Sequence, residues 1–169
     1  RTFPRARLRR AFPSHAIVGE EGPPQGEGSI VWYVDPLDGT TNFAHGHPFF
    51  AVSIGLCDGP TPLLGVIAAP ALGITWHGAP GLGAFRESLP CHVSAYAELA
   101  ESLCATGFGP VVASARDNND AEFVAALKAS HGVRRCGAAS LDLALVADGT
   151  YELYWEQRLS PWDLAAGAA

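Results

Sequence analysis

The sequence predicts a mixed α+β and α/β fold in two parts, and three observations carry that reading. Between Phe49 and Phe85, short strand-like segments follow one another with Gly, Pro and Asp at the breaks. Beyond about residue 93, strand and helix signals alternate instead. Hydrophobic residues make up 48% of the chain and charged residues 17%, enough for a sizeable core and too apolar for a disordered polymer. At 169 residues the length fits one domain or two small ones. We expect an antiparallel α+β part over residues 1–94 and an α/β part over residues 95–169.

Residues 5–12, with Ala6, Leu8, Ala11 and Phe12 among four arginines, read as the end of an amphipathic helix stopped by Pro13. Ala16–Val18 is a short strand leading into Gly19-Glu20-Glu21-Gly22, and residues 22–28 form a turn-rich loop. The run Ile30–Val34 predicts a strand buried on both faces that ends at Asp35-Pro36. Leu37–His47 follows as a loop, with a short helix starting near Gly39. Four strands come next, over 49–57, 63–68, 74–77 and 83–85, and their tight turns predict an antiparallel meander. Later strands are expected at 103–106, 133–136 and 151–155. Helices are expected at 121–130, with Phe123, Val124 and Leu127 on one face, and at 141–147, ended by Asp148-Gly149. An apolar helix begins at Trp162-Asp163, which makes Asp163 its N-cap by default.

Eleven basic against seventeen acidic residues give a net charge of −6, which argues against nucleic acid or an anionic membrane as the main partner. A phosphorylated small molecule remains compatible, because acids that recruit cations reverse the local sign. Cys57, Cys91, Cys104 and Cys136 stand alone and fit neither a zinc site nor a disulfide framework; reduced thiols in a cytoplasmic protein are the expectation. No run of eighteen apolar residues predicts a membrane span. The absence of methionine suggests an internal piece of a longer protein.

The chemistry concentrates in Asp35-Pro36-Leu37-Asp38-Gly39-Thr40-Thr41-Asn42-Phe43. A strand that is apolar through Val34 and then offers Asp35 puts a carboxylate at the sheet edge where open sheets build their sites. Asp38 returns to the same region, and Gly39 lets backbone approach a ligand, so amides at Gly39 and Thr40 could hold a phosphate. Asp-Pro and Asp-Gly are also ordinary turn signals, and on these residues alone the turn reading stays open. Glu20 and Glu21 between glycines, Asp163 after Trp162, and Glu156 after an aromatic strand add further acids. His45 and His47 flank Gly46 near the same loop, where rim positions suit them better than metal ligation.

Gly19-Glu20-Glu21, the run Asp35–Phe43, and Trp162-Asp163-Leu164-Ala165-Ala166-Gly167 together resemble the inositol monophosphatase family, in the family's order. Gly81-Leu82-Gly83-Ala84-Phe85, Arg135–Asp142 and Glu156 fit between them. The resemblance implies a layered αβαβα sandwich, incomplete here, and a Mg²⁺-dependent phosphomonoesterase using two or three ions. It implies that Glu20, Asp35, Asp38, Asp163 and the Leu37 carbonyl are metal ligands, with Asp35 bridging two ions. Thr40 would orient the attacking water with Glu20 and Asp35 nearby, Gly39 and Thr40 would hold the phosphate, and Asp38, Ala139 and Glu156 would contact the polyol. The implied substrate is a small phosphorylated polyol, inositol 1-phosphate first. Phosphatases of bisphosphate nucleotides, histidinol phosphate or fructose bisphosphate, and a non-catalytic metal-binding fragment, are the alternatives. A homodimer is implied as well. Two departures stand out: no Asp or Glu precedes Glu20 to partner the threonine, and Ala138 occupies a position where many members carry Ser or Thr.

Overall fold

The computed structural model describes residues 3–109 and 118–169. The expected parts 1–94 and 95–169 therefore include residues 1–2 and 110–117, which lie outside the described residues.

Helix α1 (Phe3–Ala11) is followed by β1 (Ala16–Gly19), β2 (Ile30–Asp38) and the single-turn helix α2 (Thr40–Ala44). The meander β3 (Ala51–Asp58), β4 (Thr61–Ala69), β5 (Ile74–Ala79) and β6 (Gly83–Arg86) comes next, closed by a two-residue strand β7 (Leu89–Pro90). These strands form a seven-stranded sheet in sequential order. Every neighbouring pair is antiparallel except β1 and β2, which run parallel. The predicted meander is present; β7 was too short to leave a periodic signal.

The second sheet is parallel throughout, in the order β10 (Leu153–Trp155), β8 (Leu103–Thr106), β9 (Gly132–Arg134). Helices α3 (Asp120–Ala129) and α4 (Ala139–Ala147) connect its strands, and α5 (Pro161–Leu164) follows β10. Leu141 and Ala144 of α4, with Ala166 just after α5, pack with Ala51, Ile67, Ala69 and Trp76 of the large sheet, so α4 covers part of one face of that sheet. A second cluster joins Ile17, Trp32, Val34 and Leu56, with Leu8 of α1 packed against it. Among the described residues no helix is long and apolar enough to cross a membrane.

Four expectations need correction. β2 does not stop at Asp35-Pro36 but runs on to Asp38, through a bulge opposite β3. Nor is it buried on both faces: Trp32 and Val34 are buried while Ile30, Val31 and Tyr33 stay partly exposed, the alternation of a strand with one covered side. In α3, Phe123 packs edge-on against Phe108 at 5.7 Å, but Val124 and Leu127 are exposed, so the inward face is narrower than three residues. Finally, α5 is one helical turn, and Ser160 rather than Asp163 is its N-cap.

Two glycines explain how α5 reaches the sheet. Gly55 of β3 and Gly65 of β4 are register partners. A Cβ on Gly55 would lie 2.6 Å from Ala165, and one on Gly65 would lie 2.0 Å from the Ala166 carbonyl oxygen. The chain after α5 therefore lies directly on bare backbone, which only glycine permits. Ser53, fully buried on the same strand, donates its hydroxyl to the Trp162 carbonyl at 3.1 Å. Asp163 is thus held against β2 and β3 from far along the chain.

Candidate active site

Asp35 and Asp38 stand three residues apart, a spacing that in a regular strand sends side chains to opposite faces. The bulge between them cancels that alternation: Asp35 pairs with Ser53 and Asp38 with Ala51, so Pro36 and Leu37 together face the single residue Val52, and β2 carries one extra residue. The Leu37 amide donates to Asp35 Oδ1 at 2.8 Å and fixes the turn. Gly39 then adopts a left-handed conformation (φ 84°) at the start of α2, where a Cβ would meet the Phe49 carbonyl at 2.9 Å. Both carboxylates consequently face the same cavity.

That cavity has a volume of about 680 Å³. Each expected metal ligand and substrate contact lines it: Glu20 from the loop after β1; Asp35, Leu37, Asp38, Gly39 and Thr40 from the β2–α2 corner; Ala139 from α4; Glu156 just after β10; and Asp163 from α5. His45 and His47 are not on its wall. Thr40 donates its hydroxyl to the Leu37 carbonyl at 3.0 Å. Asp163 accepts the Ser160 amide at 2.7 Å, completing the capping box of α5. Glu156 accepts the Tyr154 hydroxyl at 2.6 Å.

Crowding of these acids shows in their proton affinities. Burial pushes Asp35 up to about 8, against a hydrogen bond from Leu37, with the charges of Asp38 and Glu20 adding to the rise. Burial likewise raises Asp38, to about 6, opposed by hydrogen bonds from Ser140 and assisted by Asp163. Glu156 and Asp163 are also raised, in both cases mainly by burial. The repulsion runs in pairs around the cavity. Among the described residues, however, no three His, Cys, Asp or Glu side chains are drawn together tightly enough to cage an ion by themselves. The expected ligands share a cavity without forming a closed cluster.

Several site residues escaped the sequence reading. Ser140, at the start of α4, bonds Asp38 Oδ2 through both its amide and its hydroxyl. Asn42 of α2 donates to the carbonyls of Phe49 and Cys136 at 2.6 and 2.7 Å, tying the β2–α2 corner to the chain before α4. Asp142 is 1% exposed with neither carboxylate oxygen hydrogen-bonded, and burial raises it to about 8, with Asp38 and Glu156 adding to the shift. Arg135 and Arg158 bring positive charge to a wall otherwise rich in acids. The segment Arg135–Asp142 carried a signal, but as a string of small residues it concealed which of them touches Asp38.

The profile of the inositol monophosphatase family matches residues 2–169. An inositol-1-monophosphatase of Synechocystis sp. is 43% identical over 162 residues, covering 95% of this chain and 56% of that protein. Nus factor SuhB of Pseudomonas aeruginosa is 44% identical over 170 residues, covering 96% and 62%. The solved structure of an inositol monophosphatase from Anabaena (Nostoc) sp. superposes with a TM-score of 0.92 at 48% identity, covering 95% of this chain and 64% of that one. The chain thus spans less than two thirds of the length of these relatives.

Proposed function

The chain belongs to the inositol monophosphatase family, and from that premise we propose that the intact protein is a Mg²⁺-dependent phosphomonoesterase acting on a small polyol phosphate, with an inositol monophosphate as the leading substrate. One observation carries the reading: Glu20, Asp35, Asp38 and Asp163, from three separate stretches of chain, line one cavity together with the Gly39–Thr40 corner.

The donor set fits Mg²⁺ in kind. It is made of hard carboxylate and carbonyl oxygens, and the burial and neighbouring charges of Asp38 and Glu20 that raise Asp35 to about 8 are what a bound cation would offset. Mg²⁺ keeps several waters and shares substrate phosphate oxygens rather than filling an all-protein cage, so a cavity without three gathered acids suits it. Glu20, Asp35, Asp38, Asp163 and the Leu37 carbonyl would hold it. When bound, it would polarise the phosphate ester and acidify a water.

The chain's own residues would do the rest. Thr40 Oγ1 donates to Leu37, which leaves its lone pairs to accept a hydrogen bond from the attacking water and so to orient it. Backbone amides at Gly39 and Thr40 would hold phosphate oxygens. Glu156, fixed by Tyr154, would accept hydroxyls of the polyol, and Ala139 beside Asp38 would leave room for the ring.

Steady-state hydrolysis by the intact protein across a Mg²⁺ titration tests this, using inositol 1-phosphate beside a bisphosphate nucleotide, fructose bisphosphate and histidinol phosphate. Preference for inositol 1-phosphate supports the reading. Preference for another ester moves the chain to a sister activity, and Mg²⁺ binding without turnover identifies a non-catalytic protein.

A further inference from the structure

Arg5 is one of four arginines in the N-terminal helix segment, and it is the buried one, 7% exposed. A guanidinium is rarely taken out of water without strong partners. Among the described residues, the hydrogen bonds of Arg5 run to backbone. Nη1 donates to the Glu21 carbonyl, Nη2 donates to the Pro23 carbonyl at 2.7 Å, and Nε has no partner. Its planar fork therefore grips the loop immediately after Glu20 at two points.

A backbone pair anchors the far side of the same loop. Beyond β1, the return of the chain is marked by the Ile17–Gln25 backbone pair, 2.8 and 2.9 Å in its two hydrogen bonds. Between those anchors, Glu20 to Pro24 are exposed, and two consecutive prolines supply no amide. Gly22 turns at φ 76°, and a Cβ there would sit 3.4 Å from Arg5 Nη1, so the guanidinium fills the space under the turn. Arg9, one helical turn after Arg5 and on the same face, lies against Gly26 of the same loop and donates to the Pro13 carbonyl at 3.0 Å.

We propose that Arg5 is a positioning residue for Glu20: its guanidinium clamps the carbonyls of Glu21 and Pro23 and so sets where the Glu20 carboxylate enters the cavity. The inference rests on the reading of Glu20 as a Mg²⁺ ligand. It assigns to α1, which touches none of the reacting groups, the task of presenting one of them.

R5M and R5K in the intact protein test it by calorimetric Mg²⁺ titration, hydrogen exchange at the Glu20, Glu21 and Gly22 amides, and thermal unfolding. R5M is expected to weaken Mg²⁺ binding tenfold or more and to speed exchange of those amides at least tenfold. R5K, which can serve one carbonyl but not two, is expected to fall between. A lowered melting temperature with unchanged Mg²⁺ affinity and unchanged loop exchange overturns the proposal. If R5M does not fold, R5K with wild-type affinity and exchange overturns it equally. Should the unmodified protein bind no Mg²⁺, the phosphatase reading fails, and the exchange rates of the loop still decide the clamp.

Discussion

Ser140 holds Asp38 twice on one oxygen: its amide donates to Oδ2 at 2.8 Å and its hydroxyl to the same atom at 2.5 Å. Both bonds favour the ionised carboxylate, which burial otherwise opposes. A backbone hydrogen bond from Ala139 acts in the same direction, and Asp38 still lines the cavity.

Replacing Ser140 by Ala removes the hydroxyl bond and keeps the amide bond. A hydrogen bond to a charged group is worth about 1.5–3 kcal/mol. S140A is therefore expected to move the Asp38 titration above its present position near 6. The stability loss is expected to be larger at pH 8, where Asp38 is ionised, than at pH 4, where it is not. Carboxyl chemical shifts of Asp38 followed with pH, together with denaturant melts at both values, decide it.

The metal-free protein should lose stability as pH rises. Asp35 and Asp142 each bind a proton more tightly folded than unfolded, from 3.8 up to about 8. Their contribution is complete below pH about 4 and is lost as pH climbs through about 8. Each unit of pKa corresponds to ~1.4 kcal/mol. The apo melting temperature is expected to fall across that window by several degrees, and saturating Mg²⁺ to flatten the fall. A flat apo profile would count against a crowded acidic cavity.

Asp142 offers a cleaner version of the same experiment. Its carboxyl is buried with no hydrogen bond to either oxygen. D142N keeps the shape and removes the charge that appears above pH about 8. The variant is expected to match the parent near pH 4 and to exceed it progressively as pH climbs to 9, because the unfolded carboxyl gives up its proton well before the folded one does. Urea melts at the two pH values measure the difference.

Catalysis provides the sharpest contrast. D35N is expected to lower kcat by about three orders of magnitude or more, since Asp35 is read as the shared ligand of two cations that each supply several kcal/mol. E156Q is expected to raise KM or relax substrate choice by about 1–3 kcal/mol, with kcat at saturating Mg²⁺ little changed. Near-normal turnover by D35N would remove the bridging role.

Much of this site was legible in the residues because its chemistry is local to short strings. Asp35, Asp38 and Gly39 lie within five residues, and a carboxylate at the end of an apolar strand announces a sheet edge. What could not be read was the bulge. The apolar run ends at Val34 and places the strand end at Asp35-Pro36, while the structure carries β2 on to Asp38 with Pro36 and Leu37 facing one residue of β3. Asp163 was seen as an acid near a helix start, but its cap role goes to Ser160, because Pro161 begins the helix one turn earlier than the apolar pattern suggests. Ser140 and Arg5 were invisible for another reason. Their partners lie 102 and 16 to 18 residues away, and no local periodicity encodes a contact of that kind.

The bare seam formed by Gly55 and Gly65 has a consequence for the order in which the protein becomes competent. The segment that carries Asp163 can dock only on that seam, and it is synthesised about a hundred residues after it. Until it arrives, the large sheet presents an uncovered strip of backbone and the cavity lacks one of its five acids. A nascent chain halted before Trp162 would therefore be a poor trap for divalent cations. Cation capture would report completion of the chain through that point.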